Sequence, residues 1–186
     1  MADATDDDPV PVRTVQCRFG SPAVASEFRD KFIEMLIKRN PVQATILRSE
    51  FARVDIDQTF ARALSGRGFS ATNLGDAVAA NWAISWKIVN DEPNPAPVAI
   101  RSVAAAVRAK LAAKPAITGA SNRDKQLLEE ELAYQTVMAA TAATSARASG
   151  NAAALASLRQ GLIDKFHTMN VDLTALRLTD RGFVPK

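Results

Sequence analysis

The chain has 186 residues, 47% of them apolar and 23% charged, with a formal net charge of +3; this is the composition of an ordinary globular domain, long enough to bury most of the surface its unfolded form exposes. One cysteine, Cys17, excludes an internal disulfide and every multi-cysteine metal site, and one histidine, His167, excludes paired-histidine zinc motifs and paired Glu-x-x-His iron sites. No stretch approaches the roughly 18 continuous apolar residues of a membrane-spanning helix.

Residues 1 to about 19 read as a flexible acidic leader, because Asp3, Asp6, Asp7 and Asp8 come without a base and Pro9 and Pro11 without any periodicity. Beyond that acidic cluster, 23 bases face 16 acids, a balance of +7. They are interleaved along the helices, which describes a solvated face rather than a nucleic-acid surface. Met1-Ala2-Asp3-Ala4 lacks the basic and apolar regions of a secretory signal, so the chain reads as cytosolic or as a mature form. Gln16 is too large to precede a lipid-anchored cysteine at Cys17, and the leader offers that thiol no activating base.

Residues 20–186 are expected to form one all-α domain, a bundle of about six or seven helices with a docked tail. Ser21-Pro22 opens the first helix, with Val24, Phe28, Phe32 and Met35 on its apolar face and an end near Asn40. Asn40-Pro41 repeats the signal for a short helix to about Phe51, and Asp57 is expected to cap a third with Phe60 and Leu64 inside. The fourth starts at Thr72 or Asn73. It carries Leu74, Val78, Trp82, Trp86 and Val89, a second row of Ala77, Ile84 and Ile88, and only a narrow solvent strip of Asp76, Ala80, Ala83, Lys87 and Asn90, so it should be central.

Three prolines between Asp91 and Pro97 end that helix. A fifth helix follows from Pro97 to about Lys114, with Ile100, Val103, Val107 and Leu111 on one face and Arg101 and Arg108 on another. Ser121 caps a long helix from Asn122 to about Ser149, whose apolar residues Leu127, Leu128, Leu132, Tyr134 and Met138 give way to Ala and Thr. Gly150-Asn151 breaks and recaps. Leu155, Leu158, Leu162, Phe166 and Met169 then stripe the last helix. Residues 171–186 are too apolar for a free end and should return, in extended form, across the groove beside that helix, with Gly182 providing the bend.

From about Ser21 to Lys186 the chain resembles a family of small bacterial exported proteins classed as a domain of unknown function. The likeness rests on Gly68-Phe69, then Asn73-Leu74-Gly75-Asp76-Ala77, then Trp82 or Trp86, and on the ending Leu176 to Pro185 with its Leu-Thr-x-x-Gly-Phe-x-Pro pattern. The resemblance implies an envelope or secreted location and an exported precursor. It transfers no activity.

Asn81, Trp82, Ser85 and Trp86 are the candidate binding residues, since two indoles beside an amide and a hydroxyl suit a sugar or peptide; the competing expectation is that the stripe is core. Glu129-Glu130-Glu131 are expected on a solvated face, because consecutive helical positions diverge and cannot converge on one bond. His167 is expected to serve the negative end of the last helix. No phosphate loop or nucleophile elbow is present. The sequence therefore points to a non-catalytic protein without cofactor or metal, with a partner protein of the envelope or an extracellular target; the alternative is a small-ligand or glycan binder, or a weak hydrolase, built around Trp82 and Trp86.

Overall fold

The computed structural model describes residues 15, 21–39, 48–49 and 54–186. Among these, seven α-helices, a 3-10 turn and a two-stranded sheet follow in order: α1 Pro22–Arg39, α2 Ile56–Ser65, α3 Leu74–Asn90, α4 Pro97–Ala112, α5 Pro115–Thr118, α6 Asn122–Ala148, α7 Ala152–His167, the 3-10 turn Leu173–Ala175, β1 Leu176–Thr179 and β2 Gly182–Pro185. The all-α bundle expected from the sequence is the fold. The leader, Val15 apart, and most of the short helix expected to open at Asn40-Pro41 lie outside the described residues; Arg48 and Ser49, within that span, are helical. Val15 departs from the free leader expected there: it is buried, and its carbonyl accepts the Leu74 amide at 3.0 Å.

Short polar side chains start the helices by accepting amides that have no partner within the helix. Ser21 Oγ accepts Val24 N at 3.4 Å, Asn73 Oδ1 accepts Gly75 N at 3.0 Å, Ser121 Oγ accepts Asp124 N at 3.0 Å and Asn151 Oδ1 accepts Ala154 N at 2.9 Å. For α2 the cap is Asp55, whose carboxylate takes Gln58 N at 2.8 Å, and not Asp57, which falls in the first turn. At the far end of α3, Asp91 adopts the left-handed conformation (φ 55°) and its carboxylate collects Arg147 and Arg159.

The third helix packs against α4, α6, α7 and the 3-10 turn. Its expected solvent strip does not exist. Asp76 and Ala83 are each 2% exposed, and Ala80, Lys87 and Asn90 are half-buried. Asp76 is buried because it has donors: Arg108 Nε at 2.7 Å, the Ser70 amide at 3.0 Å, and a second guanidinium nitrogen of Arg108. Beside it, a Cβ on Gly75 would lie 2.5 Å from Arg108 Cγ and 3.1 Å from Arg108 Cα. Glycine is therefore what lets α4 approach the first turn of α3 this closely.

The largest core cluster joins Ile56, Phe60 and Leu64 of α2 to Ala77, Ala79 and Ala83 of α3, Ile100, Val103 and Ala104 of α4, and Ala133 and Tyr134 of α6. Phe28 and Phe32 of α1 meet Tyr134 edge-on at 5.1 and 5.3 Å. Three expected core residues face outward instead: Met35, Leu128 and Met169 are all more than a third exposed. Ile33 takes the inward place on α1. On α6 the inward places of the first turns go to Lys125, Gln126, Glu129 and Glu130, so the solvated face expected for Glu129 and Glu130 is also corrected. The second half of α6 fits the expected alanine surface: Ala139 and Ala143 are buried with Ile88 of α3, against half-buried Leu155, Leu158 and Leu162 of α7.

The tail docks as a hairpin. β1 and β2 pair antiparallel with Leu178 opposite Phe183 and Thr179 opposite Gly182, and Gly182 turns with φ 94°. Its seat includes the expected groove beside the last helix, where Phe166 and the 3-10 turn meet, and extends beyond it, with β2 on α4 and the 3-10 turn also on α3. The Trp86 indole N–H donates to Leu176 O at 2.9 Å, Asn90 Nδ2 donates to Leu173 O at 3.1 Å, and Ser102 Oγ meets Asp180 O at 2.5 Å. Leu173, fully buried, joins Trp86 and Phe166 in a second core cluster.

Gly75→Ala should destabilise the protein by about 1–3 kcal/mol, because the added methyl forces α4 outward. Gly161→Ala on α7 meets nothing within 4 Å and should be neutral or stabilising. Urea midpoints compare the two, and an unchanged midpoint for Gly75→Ala would falsify the close approach. Amides of residues 176–184 should exchange slowly in the isolated protein, since burial of Phe183 alone contributes about 1.5–3 kcal/mol; fast exchange throughout that segment is incompatible with a docked hairpin.

Candidate functional site

The four candidate residues occupy two consecutive turns of α3 and divide between its sides. Asn81 and Ser85 are buried, at 3% and 1% exposure. Asn81 Nδ2 donates to Thr136 Oγ1 of α6 at 3.0 Å, and that hydroxyl donates onward to Leu132 O at 2.6 Å. Lys165 of α7 completes the junction, its ammonium 2.5 Å from Gln135 Oε1 and 3.5 Å from Asn81 Oδ1. Burial pulls that ammonium below the ordinary lysine range, while Glu131 opposes the shift. A side-chain amide with one oxygen and one NH₂ can serve both neighbours at once, so Asn81 joins α3 to α6 and α7.

The indoles face the tail. Trp82 meets Phe166 edge-on at 5.3 Å and Phe183 at 6.2 Å, and Trp86 also lies 6.2 Å from Phe183. Trp86 is buried and Trp82 half-buried. The single indole donor of Trp86 is used by Leu176 O, which fixes the ring where the hairpin starts. Of the four residues, Trp86 lines a small cleft of about 200 Å³ between the proline-rich linker and the hairpin turn, where Glu92, Asn94, Thr179 and Asp180 supply polar groups.

A larger cleft, about 580 Å³, opens between α1 and α6. Phe28, Phe32, Met35, Leu127 and Leu128 line it, with Lys31 on the α1 lip and Glu131 on the α6 lip. Both lip charges are exposed, Lys31 paired with Glu27 at 2.6 Å and Glu131 accepting from Gln135 Nε2 at 2.8 Å. The helical spacing of Met35, Leu127 and Leu128 suggests core, and it gives no sign of this surface.

The buried acids of α6 were missed as well. Glu129 is fully buried, and desolvation first, then Glu130 and Asp57, push its carboxyl up to about 10. Burial also raises Glu130 and Asp57, whose carboxyls lie within hydrogen-bonding reach of each other. The available signal was spacing: Asn122, Gln126, Glu129 and Ala133 recur every three or four residues, in register with the buried alanines. Glu131 is exposed, as expected. His167 sits exposed at the C-terminal end of α7, 3.8 Å from Asp172 Oδ1, and Cys17 lies outside the described residues. Among the described residues, no group of three or more His, Cys, Asp or Glu is arranged to hold a metal ion, and no helix is long and apolar enough to cross a membrane.

The elements that carry the chain's family likeness are now explained by packing: Asn73 caps α3, Leu74 and Ala77 are fully buried, Gly75 admits Arg108 and Asp76 binds it. No curated protein and no solved structure matches the chain. A family model does, over residues 10–185, and the chain therefore belongs to a family of unknown function, DUF6683.

Proposed function

We propose that this protein is a non-catalytic, exported bacterial protein that acts by binding another macromolecule, as an interaction module of the envelope or an inhibitor-like partner. The observation that carries this reading is the cleft between α1 and α6, where aromatic, methionine and leucine side chains lie open at the surface. Surfaces of this make-up accept an amphipathic helix. The lips favour a partner helix with an apolar stripe bordered by an acid facing Lys31 and a base facing Glu131. Export rests on the resemblance of the motifs around Asn73 and Leu176 to exported proteins.

A second reading has its own support. The cleft beside Trp86 offers an indole edge with carboxylates and an amide around it, which suits a small ligand or glycan fragment, and Trp82 lies one turn away on the same helix.

Leu128→Arg places a charge on the open lip of the larger cleft, so its melting temperature should stay within about 2 °C of the parent, as for most exposed substitutions. The parent should recover one stoichiometric protein from bacterial envelope extract, and Leu128→Arg should recover at least tenfold less. Equal recovery by both proteins, or a parent that elutes alone, overturns the cleft reading. Saturable changes in tryptophan emission with cell-wall glycan fragments, lost in Trp86→Phe, would favour the second reading; invariant emission removes it.

A further inference from the structure

The first turns of α6 carry polar side chains into the protein. Gln126, Glu129 and Glu130 are each at most 1% exposed. As an ionised set, both oxygens of Glu129, Glu130 Oε2, Gln126 Oε1 and Asp57 Oδ1 are out of solvent with no hydrogen-bond donor among the described residues. The Gln126 amide is part of the same cluster, since its Nε2 lies 3.3 Å from Glu130 Oε1 and 3.2 Å from Ser21 O, which leaves its oxygen beside the carboxyls. Asp57 reaches in from the first turn of α2. Two carboxyl groups at hydrogen-bonding separation form that bond only when one of them carries a proton. What these oxygens lack is a donor, and the simplest donor is a proton.

We propose that Asp57, Glu129 and Glu130 form a proton-held seam between α2 and α6, closed in mildly acidic surroundings and loosened as the protons leave. Among the described residues, other elements contribute little counter-charge. Arg29 of α1 is the base that acts on Asp57, and its side chain is 44% exposed. Asp55, the cap of α2, adds a further acid, and the Tyr134 hydroxyl on α6 is itself held neutral by burial. Lys125, one turn before Glu129, points its ammonium to Thr118 O at 3.4 Å. The described groups acting on Glu129 are all acids.

The sign follows from linkage. All three carboxyls bind a proton more tightly folded than unfolded, so their contribution is complete below the unfolded values, 3.8 for Asp57 and 4.5 for the two glutamates, and declines as pH rises toward the folded value, about 10 for Glu129. This opposes ordinary acid denaturation, in which native carboxylates are the stabilised form.

Thermal unfolding between pH 5 and 9 tests the seam. The melting temperature of the parent should fall by roughly 3 °C per pH unit for each group that titrates. Glu129→Gln and Glu130→Gln should each raise the midpoint at pH 8 and flatten the slope, whereas Glu131→Gln, at an exposed position, should change neither. A parent whose midpoint is flat or rises from pH 5 to 8 overturns the proposal, as does a slope that both buried-site variants retain. Should either variant fail to fold, the carboxyl carbon resonance of Glu129 in the parent decides: a protonated signal at pH 7 supports the seam, and titration near 4.5 refutes it. Amide exchange corrected for intrinsic rates locates the effect. Protection should drop in α2 at pH 9 before it drops in α7, and a uniform loss over both helices would refute α2 as the element released.

Discussion

The structure depends on one buried ion pair. Asp76 lies almost wholly out of water in the first turn of the most enclosed helix, where an unpaired carboxylate would cost several kcal/mol. Arg108 supplies two guanidinium contacts, the Ser70 amide supplies another, and the positive end of α3 favours the charge. The guanidinium remains 41% exposed and keeps part of its hydration, so only the acid is fully desolvated. That asymmetry makes the pair affordable and gives it a fixed direction. Arg108 belongs to α4, and the pair therefore sets where α4 crosses α3. Gly75 is the steric counterpart, because any side chain there would meet the Arg108 stem.

With α4 placed, the tail has a seat. Val103 of α4 lies 3.8 Å from the point a Gly182 side chain would occupy, Ser102 meets Asp180 O, and Trp86, one face of α3 away from Asp76, meets Leu176 O. Asn90 extends the seam by bonding Leu173 O, and it in turn accepts Lys186 Nζ at 2.8 Å. Residues 78 to 90 positions apart in sequence are thus joined through backbone carbonyls of the tail. The aromatic stripe of α3 is largely occupied by the protein's own C-terminus, which is why Trp82 and Trp86 present little free indole surface.

What the sequence made legible was local chemistry. Ser21, Asn73, Ser121 and Asn151 cap as expected because capping depends on a side chain and an amide within three residues. Asp57 falls two residues past the cap, inside the first turn of α2, with its carboxyl beside Glu130. The hairpin turn Asp180-Arg181 carries no Asn-Gly or Asp-Gly signature, and its left-handed residue falls one place later, at Gly182, so the segment reads as extended with a bend at Gly182 and not as a paired hairpin. The helix Pro115–Thr118 was announced by Lys114-Pro115 and overlooked because one turn leaves no periodicity. The candidate residues Asn81 and Ser85 were legible as a pair on one face, yet nothing local reveals that Asn81 is satisfied by Thr136, 55 positions away.

The rotation of α6 about its axis is the hardest feature to read and the most consequential. Apolarity alone would turn Leu127 and Leu128 inward. The helix has one axis, however, and its second half must place Ala139 and Ala143 against Ile88, with Ala133 and Tyr134 in the main core. At 3.6 residues per turn, Gln126, Glu129 and Glu130 lie within about 60° of Ala133 and turn inward with it, whereas Leu128 lies about 140° from Ala133, on the side of the cleft with α1. Small residues decide the register because they permit the close approach of α3, α6 and α7, and the gain is spread over several turns. The buried acid seam and the open apolar cleft are therefore two faces of a single packing choice: any change that rotated α6 to cover Leu128 would expose Tyr134 and separate Glu130 from Asp57 as well.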